Sequence, residues 1–67
     1  MTANQYRVAI ARVGLSQRKA GPWLGYTDRT SRRFANGALP VPLAVARLLK
    51  VMAKHGMTWR DVDKLDD

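Results

Sequence analysis

An all-α fold, a compact domain of five short helices, is what this sequence predicts, and three observations carry the prediction. Helix-start residues (Thr2, Ser16, Thr27, Pro42, Thr58) and helix-stop glycines (Gly14, Gly25, Gly37, Gly56) alternate, with starts roughly every 12 to 15 residues. Apolar residues between them recur at helical spacing, and no alternating strand pattern interrupts them. The chain has 67 residues and no cysteine, which suits one domain spanning residues 1–67 with no disulfide or thiolate metal site to staple it. A domain this small is stabilised by roughly 3 to 10 kcal/mol, from a small packed core.

The elements follow in order. Thr2 caps a first helix that turns Tyr6, Val8 or Ala9, Ile10 and Val13 inward, and Gly14 ends it. Ser16 starts a second helix that Leu24-Gly25 closes. It carries Gly21-Pro22 in its interior, where a proline loses a backbone bond and costs about 3 kcal/mol. The expectation is a helix that forms but is kinked or locally 3₁₀ near residue 22. Thr27 caps a third helix, "DRTSRRFAN", which Gly37 ends. After the turn "ALPVP", Pro42 suits the first turn of a fourth helix running to about His55, with Gly56 as its stop. Thr58 and Asp61 have capping-box spacing and begin a fifth helix with Trp59, Val62 and Leu65 on one side.

Charge is unevenly placed. Twelve Lys and Arg face five Asp, and four of those acids (Asp61, Asp63, Asp66 and Asp67) fall in the last seven residues. Residues 1–60 hold eleven of the basic residues and one acid, Asp28, so they carry +10. That is the footprint of a protein that meets a polyanion, although small soluble proteins are also basic for solubility alone. The start "MTANQYRVAIARVG" has arginines inside its apolar pattern, unlike a signal peptide. The most apolar run, "ALPVPLAVARLLKVMA", is too short and too charged to span a bilayer. No membrane partner is expected, and the expected location is a bacterial cytoplasm or nucleoid.

Catalytic and metal chemistry find no footing. His55 stands alone and suits the negative end of helix four. Ser16 has no His/Asp partner pattern, and no glycine-rich phosphate loop exists. The sequence therefore indicates no enzyme, cofactor, metal site or small-molecule substrate. Trp23 and Trp59 suit core or interface anchoring better than base stacking.

The stretch "LSQRKAGPWLGYTDRTSRRFANG", residues 15–37, resembles the helix-turn-helix of the Cro/phage-repressor (XRE-type) DNA-binding family. The resemblance rests on Leu15-Ser16-Gln17 opening the second helix and Leu24-Gly25-Tyr26 at the turn. Thr27 capping the third helix, and Phe34 with Asn36-Gly37 closing it, complete the match. The flanking helices fit more loosely. It implies a lambda-repressor-like domain in which Gly21 marks the closest approach of the two helices and Leu24, Tyr26 and Phe34 pin them to the core. Two residues depart from the pattern. Ser31 stands where the family usually has an aliphatic residue, forgoing about 1 to 2 kcal/mol of apolar burial, and Pro22 stands where a polar residue is usual.

The resemblance makes the third helix a recognition helix whose N-terminal end meets base edges in the major groove of double-stranded DNA. Thr27, Asp28, Arg29, Arg32 and Arg33 become the candidate base contacts, Arg29 and Arg33 as forks for guanine. Asp28 has two readings that stand side by side: acceptor for a cytosine amino group, or i,i+4 partner of Arg32 at the positive helix end. The arginines also have a plain reading as a solvated face. Ser16, Gln17, Arg18, Lys19 and Asn36 are the candidate phosphate contacts. Helix four and the segment after it, residues 42–65, hold more apolar residues than one core face needs. Val51, Met57, Trp59, Val62 and Leu65 are therefore candidates for a homodimer interface that sets two recognition helices about 34 Å apart on an inverted repeat; the other reading is a thin core that uses them all. The implied function is a phage, mobile-element or anti-CRISPR-associated transcriptional repressor. An antitoxin-type autorepressor and a protein- or RNA-interaction module are the alternatives.

Overall fold

Thr2, Ser16, Thr27 and Thr58 each hold extended backbone at a helix start, and each hydroxyl accepts from the backbone N–H three residues on. These bonds satisfy donors that the first helical turn leaves unpaired. Thr2 with Gln5 and Thr58 with Asp61 complete reciprocal capping boxes. The computed structural model describes residues 1–65, so Asp66 and Asp67 of the acidic end lie outside the described residues. Within it run α1 (Ala3–Arg12), α2 (Gln17–Leu24), α3 (Asp28–Asn36), α4 (Leu43–Lys54) and α5 (Trp59–Asp63), with no strand among the described residues. The fold is all-α, and none of these helices is long and apolar enough to cross a membrane.

The hydrophobic core joins four helices and the loop after α1. Tyr6, Ile10 and Val13 meet Leu15 and Ala20, Phe34, and Val45, Leu49 and Met52. α1 is the hub, packed against α2, α3 and α4. α5 is held by two long-range bonds: the Trp59 amide donates to the Val13 carbonyl at 3.0 Å, and the Trp23 indole N–H donates to Asp63 Oδ1 at 2.9 Å. Of the two inward candidates on α1, Ala9 is buried and Val8 is 45% exposed. Leu65 is 74% exposed and does not share the packed side of α5 with Trp59 and Val62.

α2 forms around Pro22 as expected, without the local 3₁₀ turn: it is α-helical from Gln17 to Leu24. The bond that Pro22 forfeits belongs to the Arg18 carbonyl. Residues 18 and 22 are both exposed, so water can take the place of the donor that Pro22 lacks. The C-terminal end is well tied: Gly25 N–H donates to Pro22 and Tyr26 N–H to Gly21. Gly25 takes φ +90°, a left-handed turn that costs a residue without Cβ little.

Candidate nucleic-acid interface

Only Gly25, Tyr26 and Thr27 separate α2 from α3. The helices meet at Gly21, where a Cβ would press on the Thr27 carbonyl, lying 2.8 Å from its carbon and 3.0 Å from Ser31 Cβ. The missing side chain at residue 21 is thus what lets the start of α3 sit against α2.

α3 has a buried seam and an open face. Ser31, Phe34 and Ala35 point into the domain. Phe34 packs edge-on against Tyr6, with ring centroids 5.7 Å apart, and against Tyr26 at 5.3 Å. Tyr26 remains exposed, so at the turn it covers Phe34 from outside rather than entering the core, while Leu24 is half-buried. Ser31 is 0% exposed, and its hydroxyl shares a 2.6 Å hydrogen bond with the Tyr6 hydroxyl. A buried tyrosine brings a polar tip that needs a partner, and Ser31 supplies it. Burial pushes the Tyr6 phenol pKa up from its ordinary value, and the bond to Ser31 opposes part of that rise. The guanidinium of Arg7 donates through Nη1 to the Ala35 carbonyl in the last turn of α3. It both ties α1 to α3 and places a cation at the negative helix end.

The opposite face of α3 presents Arg29, Arg32 and Arg33, all exposed. Arg32 Nη2 lies 3.0 Å from Asp28 Oδ2, a surface pair worth less than about 1 kcal/mol. Asp28 Oδ1 is buried without a hydrogen-bond partner, so this carboxylate offers no free exposed oxygen beyond the one facing Arg32. The Thr27 hydroxyl is similarly occupied: it accepts from the Thr30 N–H at 3.1 Å and donates to Thr30 Oγ1 at 3.0 Å. Among the described residues, Arg29 and Arg33 pair with no acid. One helical turn apart, they share a side of α3.

The phosphate candidates are spread over three settings. Gln17 and Arg18 are exposed in the first turn of α2, beside the Ser16 hydroxyl that accepts from the Lys19 N–H at 3.1 Å. The Lys19 ammonium stands over the Trp59 ring, 3.9 Å from its centroid, and the Arg60 guanidinium lies 5.1 Å from the same point. Such cation–π contacts at exposed sites contribute about 0.5 to 1 kcal/mol each. Asn36 uses its side-chain oxygen to accept from the Ala38 N–H at 2.9 Å, which fixes the turn after α3.

The five dimer candidates divide. Met57, Trp59 and Val62 are half-buried against the core of their own chain. Val51 is 54% exposed and, like Leu65, is open to a partner. Val51 lies on a stripe of α4 with Ala44, Leu48 and His55, flanked by Arg47, Lys50 and Lys54. Sequence reasoning missed Arg7, Arg60 and the Tyr6–Ser31 pair. Tyr6 did carry a signal, a hydroxyl on a residue placed in the core; Arg7 and Arg60 carried none beyond charge. No family model, no curated protein and no solved structure matches this chain.

Proposed function

We propose that this protein is a sequence-specific DNA-binding transcriptional regulator, of the Cro/phage-repressor helix-turn-helix kind, that reads the major groove with α3. The observation that carries the reading is the polarity of α3. One side is fully buried through Ser31, Phe34 and Ala35, and the other projects Arg29 and Arg33 with no acidic partner among the described residues. A rigid helix with a free arginine face, in a chain carrying +10 over residues 1–60, suits a polyanion whose groove admits a helix.

The mechanism follows from the chemistry of these groups. Arg29 and Arg33 each present a planar fork that matches guanine O6 and N7, worth roughly 1 to 3 kcal/mol of discrimination per pair. Arg32 is steadied by Asp28, and its own contact is with base edge or backbone beside them. Gln17 and Arg18 at the start of α2 fix the register on the phosphates, where the helix dipole adds attraction. Because a two-fold protein reads a two-fold site, the operator is an inverted repeat with half-sites about 34 Å apart.

Selection of bound duplexes from a random-sequence pool at physiological salt tests the reading. A recovered palindromic motif is expected. On that site Arg29→Ala and Arg33→Ala should each weaken binding about tenfold or more, with a much smaller effect on random DNA. Gln17→Ala should weaken both alike. Recovery of no preferred sequence would overturn the proposal.

A further inference from the structure

Lys19 and Arg60 are 41 positions apart in sequence, yet both cations stand over one indole, that of Trp59, at 3.9 and 5.1 Å from its centroid. No acid forms an ion pair with either of them among the described residues. The nearest carboxylate in sequence, Asp61, is turned away to cap Thr58, accepting from its N–H at 2.8 Å and from its hydroxyl at 3.2 Å. Trp59 itself is firmly placed, its amide bonded to the Val13 carbonyl and its ring 3.5 Å from where a Cβ on Gly14 would stand.

Two like charges over one ring repel each other, and the indole face compensates only in part. An anion at this spot removes the repulsion. The ring also restrains two side chains that otherwise lose much rotamer freedom on meeting a ligand. Double-stranded DNA carries one charge per roughly 3.4 Å of axis along each strand, so two cations held within 5.1 Å of one ring centroid can serve the same short stretch of phosphate backbone. Lys19 also belongs to the first turn of α2, beside the exposed Gln17 and Arg18.

We infer that Lys19 and Arg60, mounted together on Trp59, form a phosphodiester clamp that extends the DNA footprint from α2 onto α5. The clamp rests on the DNA-binding reading above. It adds α5, a helix outside the α2–α3 pair, to the contact, and it gives Trp59 the task of presenting charge.

The salt dependence of binding to a random-sequence duplex tests it, with folding of each variant checked by thermal melting. Wild type should show a log–log slope that Arg60→Gln and Lys19→Gln each reduce by about 1, with Arg60→Lys restoring it. Lys54→Gln, a cation on the C-terminal turn of α4, should leave the slope unchanged. A wild-type slope retained by folded Arg60→Gln overturns the clamp while the DNA reading stands. Absence of duplex binding by wild type at any salt overturns both.

Discussion

Ser31 shows how a polar residue can sit in a small core without weakening it. Taken alone, a serine in the middle of α3 forgoes apolar burial. Paired with Tyr6 at 2.6 Å it closes the one polar demand that a buried tyrosine makes. Ser31→Ala strands the Tyr6 hydroxyl, and an orphaned buried donor costs about 1 to 3 kcal/mol, a large share of the stability of a domain this size. Urea unfolding should show that loss, while Tyr6→Phe combined with Ser31→Ala should cost less than the two single changes added together. Strict additivity would mean that the bond contributes nothing. Gly21 and Pro22, neighbours in sequence, are opposite cases. Gly21→Ala gains about 1 kcal/mol of helix propensity but drives a methyl into the Thr27 carbonyl, backbone that cannot swing aside. Overpacking of this kind costs about 1 to 3 kcal/mol or more, so the net expected effect is destabilising. Pro22→Ala should stabilise, because it restores a bond worth part of the 3 kcal/mol penalty and loses only about 0.4 to 1 kcal/mol of unfolded-state restriction. A fall in urea midpoint for Pro22→Ala would show that the ring packs usefully beside Trp23 and Leu48, with which it lines a cleft.

At the scale of elements, α5 is the one whose docking depends on a titratable cap. It has five residues, too few to persist alone, and no buried residue of its own. Thr58 bonds hold the Asp61 carboxyl below its ordinary pKa, the backbone N–H contributing most, then the hydroxyl, with Lys64 adding a smaller pull. A depressed carboxylate pKa means the native state prefers the charged form. Its contribution is present above the unfolded value and is lost as pH falls through the lower folded value. Acid titration followed by tryptophan fluorescence should therefore show α5 loosening below the ordinary aspartate range, before global unfolding. Asp61→Asn should remove that step, and an unchanged acid transition in the variant would assign it elsewhere. α3 is the contrasting element. Arg7 at its C-terminal carbonyls, Ser31 in its middle and Thr27 at its start fix it from three sides. Its outward arginines thus project from a rigid base, as a groove-reading helix requires.

For the whole molecule, the proposed dimer makes the sharpest demand. The exposed α4 stripe of Ala44, Leu48, Val51 and His55 follows the 4-3-4 spacing that suits helix-against-helix packing. Met57, Trp59 and Val62 already pack against the core of their own chain, so the proposed dimer is expected to form through α4. Sedimentation velocity should show a dimer at high concentration, and Val51→Lys should return it to monomer without lowering the melting temperature. A wild-type monomer under those conditions would leave the protein to read half-sites singly.

Four of the five helix starts rest on side-chain bonds spanning three residues. Thr2, Ser16, Thr27 and Thr58 cap their own first turns, so the element order was legible along the chain. The inward side of α3 at Ser31 and Phe34 was legible from helical periodicity, and the close approach at Gly21 was an expectation that the helix-turn-helix resemblance supplied. What only the tertiary structure decided are pairings across distance. Tyr6 and Ser31 lie 25 positions apart, Arg7 and Ala35 28, Trp23 and Asp63 40. No local pattern encodes which polar tip answers which, because that choice follows from how helices stack in space. The surroundings of Pro22 were decided the same way: a helix through this proline was expected from the sequence, but whether water reaches the carbonyl it abandons depends on exposure, a property of the folded whole.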